Sequence, residues 1–215
     1  MTLEQFFAEN REVAIAFSGG VDSAYLLYAA TRYAARVKAY YVNTAFQPEF
    51  ELADARRLAD ELGADMLVLH VDVLSNSAVT ANPSDRCYHC KNTLFRQILR
   101  AAENDGFPVL LDGTNASDDA GDRPGMRALR ELSVRSPLRE CGLTKAEIRR
   151  LSREAGLFTW DKPAYACLAT RIRTGEEITL QKLKQTEKAE GFLFGLGLRD
   201  FRVRMVGNTA KLELR

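Results

Sequence analysis

Apolar residues follow two alternating patterns over the first two-thirds of the chain. Short unbroken runs at Val13–Phe17, Val37–Val42, Met66–His70 and Pro108–Leu111 read as buried strands. Between them, residues 22–34, 47–62 and 88–103 carry apolar side chains at helical spacing. This alternation predicts an α/β fold, a mostly parallel sheet with helices on both faces, and such sheets bind ligands beyond the C-terminal ends of their strands. Residues 112–126, DGTNASDDAGDRPGM, have the Gly, Asp and Asn content of a functional loop. Thr144-Lys-Ala-Glu147 is a capping-box pattern that opens a helix reaching about Ala155. Around Pro163–Gly175 the chain passes to a smaller α+β unit, with a helix over 178–196 and strands at Phe201–Val206 and Ala210–Leu214. The expected division is 1–165 and 166–215. The sequence stops at Arg215 inside a predicted strand, so the second unit is expected to be truncated. No internal repeat is present.

Length and composition add bounds. A chain of 215 residues, 46% hydrophobic and 27% charged, is ordinary globular material. Its net charge of +1 comes from 30 basic against 29 acidic residues and argues against a protein that coats nucleic acid. The balance is uneven. Residues 1–167 hold 20 Lys/Arg and 23 Asp/Glu, a net of −3, whereas residues 168–215 hold 10 and 6, a net of +4, which marks the C-terminal unit as the place for an anion. No apolar run reaches the roughly 18 residues of a membrane span, and the N-terminus lacks the order of a secretion signal. A cytoplasmic location without membrane partners is expected. In a reducing compartment the cysteines Cys87, Cys90, Cys141 and Cys167 are poor disulfide formers, which favours a metal or catalytic role for the closely spaced pair.

The strongest motif is Ser18-Gly19-Gly20-Val21-Asp22-Ser23, set between a strand and a helix. Glycines let backbone N–H groups turn around phosphate oxygens, and the new helix N-terminus adds unpaired donors. Ser18 and Ser23 add hydroxyls, while the Asp22 carboxylate suits a helix cap or a bridging Mg²⁺. This is not a Walker loop, because no Gly-Lys-Ser/Thr follows. The motif resembles the PP-loop of the ATP pyrophosphatase superfamily, whose members adenylate a carbonyl or carboxyl oxygen, release pyrophosphate and let a nucleophile displace AMP. That resemblance also points to the end of the second strand, Asn43 and Thr44, for adenine or ribose; an ordinary strand-end turn is the plain alternative.

Further segments narrow the resemblance. They are Asn82-Pro-Ser-Asp-Arg-Cys87-Tyr-His-Cys90-Lys91, Asp112–Asp118, Asp122–Met126, Ser136–Leu138, Gly142–Lys145, Trp160–Pro163 and Ala166-Cys167-Leu-Ala-Thr-Arg171. Together with the PP-loop they resemble the LarE-type ATP-dependent sulfur transferases from about residue 12 to 206. A mild departure is Thr170, where the family often has Ser. The resemblance implies sulfur insertion in nickel-pincer nucleotide cofactor synthesis. The carboxylates of pyridinium-3,5-biscarboxylic acid mononucleotide are adenylated and AMP is replaced by sulfur. It further implies one of two sulfur sources: sacrifice of Cys167, leaving dehydroalanine, or a 4Fe–4S cluster held by Cys87, Cys90 and Cys167. Soft thiolates suit iron–sulfur chemistry, and three of them leave one iron open. A zinc site completed by His89 or Cys141 is the structural alternative.

The mononucleotide substrate needs a cationic cradle. Arg202 and Arg204 flank Val203, and period-two spacing puts both guanidiniums on one strand face, where they suit phosphate. Arg171 lies four residues past Cys167, and all three are candidate substrate-binding residues by resemblance; a solvated basic face is the alternative. Glu190, beside an apolar helical stripe, needs a partner: an active-site Arg, an intersubunit ion pair or helix-edge exposure. Asp118, Asp119 and Asp122 suit Mg²⁺, substrate or simple turns. ATP, Mg²⁺ and a 4Fe–4S cluster are the expected cofactors, a small nucleotide the partner rather than nucleic acid, and a homo-oligomer, a hexamer by resemblance, the assembly. Competing readings are tRNA thiolation, an amide-forming PP-loop ligase and a nucleotide-sensing module.

Overall fold

The computed structural model describes residues 1–118, 124–207 and 209–214. Its centre is a four-stranded sheet of β1 (Glu12–Phe17), β2 (Arg36–Asn43), β3 (Asp65–His70) and β4 (Val109–Leu111), in the order β3-β2-β1-β4 with every pair parallel. The inner strands read as apolar runs because both faces are covered, and Val13, Ala14, Ile15, Ala39 and Tyr40 have no exposed surface. On the chain walk, α1 (Leu3–Glu9) precedes β1, α2 (Val21–Tyr33) and α3 (Glu49–Leu62) follow β1 and β2, and short α4 (Ser77–Thr80) leads into the long α5 (Arg86–Asn104). After β4 come α6 (Pro124–Glu131), α7 (Pro137–Glu140) and α8 (Lys145–Glu154). The C-terminal unit holds α9 (Leu180–Gly195) and an antiparallel pair, β5 (Phe201–Val206) with β6 (Thr209–Leu214).

Several boundaries differ from the sequence reading for local reasons. α3 starts at Glu49, not at 47, because Pro48 is the extended cap and Gln47 is engaged by Thr44. α5 starts at Arg86, so Cys87 and Cys90 stand together in its opening turns. Residues 112–126 are not loop throughout, since α6 begins at Pro124; Asp119 and Asp122 lie outside the described residues. The capping box at Thr144 and Glu147 is present as read.

Strand order fixes where a ligand belongs. From β1 the chain builds outward through β2 and β3, then returns to place β4 on the other side of β1. The loops leaving β1 and β4 therefore diverge at a switch point, the crevice that such sheets use for binding. Gly113, just past β4, lies so close to the first turn of α2 that a Cβ there would sit 2.9 Å from the Ser23 backbone nitrogen. A separate apolar cluster joins Phe46, Val73 and Val79 to Leu168, Ile172, Ile178 and Leu183, packing the start of the C-terminal unit onto the β2–α3 side. No helix of the described residues is long and apolar enough to cross a membrane.

Candidate active site

The phosphate loop is folded by its own side chains. Gly19 takes φ +72°, a conformation glycine adopts without strain, and its bare Cα face lies against Ala55 of α3, whose Cβ would be 3.3 Å from an added one. Ser23 Oγ donates to the Gly20 carbonyl at 3.2 Å and accepts from the Ser18 N–H at 3.3 Å, and the two serine hydroxyls share a hydrogen bond at 3.1 Å. Gly20 caps α2 with no side-chain hydrogen bond, so the helix N-terminus is open to an anion. Asp22, in the first turn, pairs with Lys145 Nζ at 2.5 Å and accepts from Asn115 Nδ2 at 3.4 Å. Asp22, Asp112 and Asp118 line one depression of about 300 Å³ together with Ser18 and Ser23.

A second cavity, about 380 Å³, runs from Ser18, Gly20 and Asp22 past Lys162 to Cys167. Lys162 Nζ pairs with Asp54 at 2.6 Å and donates to the Gly19 carbonyl at 3.3 Å, which ties the phosphate loop to the segment carrying Cys167. Two lysines therefore flank the loop. The sequence marks neither lysine, since one stands at a helix start and the other in a Lys-Pro turn. Glu51 and Tyr41 also line this cavity; one hides in an amphipathic helix pattern, the other in an apolar strand.

The structure brings three of the four cysteines together. Cys90 and Cys167 pack on the same apolar cluster, and Cys87 lies one helical turn from Cys90 at the exposed edge. Burial pushes the Cys90 thiol up to about 12, and the nearness of Cys167 and Cys87 adds to it while Arg86 and Lys91 oppose it. Burial likewise raises Cys167, with Arg86 opposing. Buried side chains make the meeting. Asn82, fully enclosed with φ 53°, donates to the carbonyls of Arg173 at 2.8 Å and Ile172 at 3.4 Å. Arg86 donates to Asn82 Oδ1 at 2.6 Å and to the Ala169 carbonyl at 3.0 Å, and its second nitrogen lies 3.8 Å from the Cys87 sulfur. The Leu168 N–H donates to Phe46 O at 2.9 Å, fixing Cys167 at the cavity wall. Cys141 packs instead on the main core around the sheet, and His89 faces Asp85 at 3.4 Å. Among the described residues no three His, Cys, Asp or Glu side chains are grouped to hold a single metal ion.

The candidate substrate residues fall into two sets. Arg171 and Glu190, each about 1% exposed, form a buried pair at 2.8 and 3.1 Å rather than an open cradle. Arg171 also donates to the Ala166 carbonyl at 2.7 Å and stacks over the Tyr165 ring at 4.6 Å. Glu190 accepts the Tyr165 hydroxyl and the Val203 N–H, the latter at 2.9 Å. Although burial opposes it, these hydrogen bonds from Arg171, Tyr165 and Val203 hold Glu190 below its ordinary range. The pair thus grips the backbone on the N-terminal side of Cys167. Arg204 lines a separate depression of about 510 Å³ with Arg86, Arg173 and Lys211; it pairs with Glu213 at 2.7 Å and donates to the Thr170 carbonyl at 3.0 Å. Arg202 shares its strand face by alternation, since Phe201 and Val203 are buried. Asn43 does not line the Ser18–Cys167 cavity. It lies on a neighbouring depression with Thr44 and His70, 3.5 Å from the His70 ring, because β2 carries it one residue past the cavity wall formed by Tyr40–Val42.

Comparison with known proteins agrees with this architecture. The family model described as asparagine synthase matches residues 4–119. An uncharacterized protein of Synechocystis sp. is 40% identical over 215 residues, spanning 99% of this chain and 80% of its own length. A protein of Lactiplantibacillus plantarum named pyridinium-3,5-bisthiocarboxylic acid mononucleotide synthase is 33% identical over 215 residues, spanning 99% of this chain and 78% of its own. A tRNA-specific 2-thiouridylase of Thermotoga petrophila is 26% identical over 191 residues, covering 68% of this chain and 52% of its own length.

Proposed function

Because the chain belongs to the LarE-type ATP-dependent sulfur transferases of the PP-loop superfamily, we propose that it sulfurates pyridinium-3,5-biscarboxylic acid mononucleotide in nickel-pincer cofactor synthesis. ATP-dependent sulfur transfer is its general activity. The substrate rests on the named relative from L. plantarum and on the cationic depression around Arg204. The observation that carries the reading is one continuous cavity with the phosphate loop at one end and Cys167 at the other.

Each part of that cavity has a chemical task. Backbone donors of Ser18–Ser23 and the N-terminus of α2 take the phosphates of ATP, with Lys145 and Lys162 neutralising charge that builds on departing pyrophosphate. The carboxylates of Asp22 and Asp118 offer the hard oxygens that Mg²⁺ prefers. Arg202 and Arg204 take the substrate phosphate. Arg171 and Glu190 act as positioning residues for the sulfur-bearing segment. The donor chemistry of Cys87, Cys90 and Cys167 fits a 4Fe–4S cluster, which when bound supplies transferable sulfur at its open iron. One feature favours a second source: Cys167 alone of the three lines the nucleotide cavity, as a directly sacrificed sulfur donor would. Near-neutral charge supports a small-molecule substrate over tRNA, and exposed Phe192, Leu196 and Leu214 support a homo-oligomer.

The test is substrate-dependent ATP–pyrophosphate exchange followed by mass spectrometry of substrate and protein. Exchange with the dicarboxylate and formation of a thiocarboxylate are expected; exchange with no carboxylate substrate defeats the reading. Iron and acid-labile sulfide in anaerobically purified protein select the cluster source. Loss of one H₂S from the protein after turnover selects Cys167 sacrifice.

A further inference from the structure

Of the two lysines that flank the phosphate loop, Lys145 stands on a helix and Lys162 on a turn. One helix governs both. Lys145 is the first residue of α8 and reaches Asp22 directly at 2.5 Å. Arg149 and Arg153 follow at four-residue intervals, so the three cations lie along one face of α8. Arg149 crosses to the turn beyond the helix. One terminal nitrogen donates to the Trp160 carbonyl at 2.7 Å and the other to the Lys162 carbonyl at 2.8 Å. Arg153 covers the same turn, its guanidinium lying 5.0 Å from the centre of the Trp160 ring.

This turn is a short 3₁₀ stretch, Phe158–Asp161, and Lys162 is its cap residue. Pro163 follows and favours the extended backbone that Lys162 adopts, with ψ 124°. The root of Lys162 is therefore fixed by Pro163 ahead and Arg149 behind. Its ammonium meets Asp54 at 2.6 Å and the Gly19 carbonyl at 3.3 Å. A lysine stem is long and flexible, so its charge stays at one place only when its root is held. An Arg fork is more often spent on a carboxylate. Among the described residues none bonds Arg149, and both ends of the fork go to carbonyls two residues apart. Trp160 is exposed, and water could serve its carbonyl. Satisfying that carbonyl does not require the clamp; directing Lys162 does.

We propose that Arg149 is a positioning residue of the adenylation step, acting through Lys162. This rests on the adenylation reading above. In that step a substrate carboxylate oxygen bonds to the α-phosphorus of ATP. The bond from that phosphorus to its bridging oxygen breaks, and pyrophosphate leaves with the electron pair. Negative charge grows on the departing oxygens, so an ammonium already held at the loop stabilises the transition state more than the bound nucleotide. Loosening its root should therefore slow turnover more than it weakens ATP binding.

The test is substrate-dependent ATP–pyrophosphate exchange by the full chain, with Mg²⁺ and the dicarboxylate mononucleotide. Lys162→Met should lower kcat about 100-fold. Arg149→Met should lower kcat about tenfold while KM for ATP stays within about threefold. In the Lys162→Met background, Arg149→Met should cost less than about a further twofold, because the lysine it serves is gone. Arg149→Lys keeps the charge and the stem but cannot bond two carbonyls with one planar fork, so it should still lose about threefold in kcat. That variant carries the comparison if Arg149→Met fails to fold. Equal losses from Arg149→Met with and without Lys162 mark a general structural effect and overturn the assignment. So does a rise in KM at unchanged kcat, or full exchange in Lys162→Met, which leaves nothing to position. Absence of exchange in the unaltered protein instead defeats the parent reading.

Discussion

The two ends of the cavity are built on opposite principles. At the phosphate end, six consecutive residues supply nearly everything: glycine backbone, serine hydroxyls and a helix start, closed on themselves by Ser18, Gly20 and Ser23. At the sulfur end, Cys87, Cys90 and Cys167 come from segments about eighty residues apart in the chain, joined by Asn82, Arg86 and the Arg171–Glu190 pair. A site of consecutive residues inherits its geometry from local turns and the sheet beneath. A site of distant residues depends on buried polar bonds, each of which is expensive to leave half-made. Substitutions should therefore damage activity without stability at one end and couple the two at the other.

Cys167→Ser gives the sharpest separation: thiocarboxylate formation should fall to background while substrate-dependent ATP–pyrophosphate exchange persists. Loss of both together would erase the distinction between the two ends. Arg171→Met should come next. It strands Glu190 in the interior, which costs about 3–5 kcal/mol in urea denaturation, and replacing both partners with Met should cost less than the single change. Because the folded protein holds Glu190 below its ordinary pKa, the pair's contribution is present above the ordinary carboxylate pKa. It is lost as pH falls through the depressed value, so the unaltered protein and Arg171→Met should converge in strong acid.

Asn82→Ala leaves carbonyls of the 172–173 turn unpaired and should cost about 1–3 kcal/mol. Sulfur transfer should fall with it more than nucleotide binding does. The smallest effect is a gain. Glu51 binds its proton more tightly folded than unfolded, so it subtracts stability as pH rises from its ordinary carboxylate value to about 7. Glu51→Gln should therefore raise the melting temperature at pH 8 by about 2–4 °C and leave it unchanged well below pH 4.5.

Legibility in the sequence divides along the same line. The strands at 13–17, 37–42 and 66–70 and the Thr144 capping box could be read because period, burial and cap chemistry are local properties. α5 starts two residues before the apolar spacing predicts, since Asp85 caps it without a side-chain bond to signal the boundary. Lys145, Lys162, Glu51 and Tyr41 carried no legible signal. A lysine at a helix start, a Lys-Pro in a turn and a tyrosine in a strand acquire meaning only from what stands opposite. Asn43 shows the converse: a plausible strand-end residue that the pleat delivers to the neighbouring depression.

By itself, the order of residues determined the α/β alternation, the phosphate loop and the nucleotide chemistry that loop supports, because backbone donors on a glycine turn act within a few bonds of their own position. Tertiary structure alone decided which lysines flank the loop, that Arg171 turns inward to Glu190, and that Glu51 and Tyr41 line the same cavity as Cys167. Those outcomes depend on desolvation and on partners dozens of residues away, and neither quantity exists until the chain has folded.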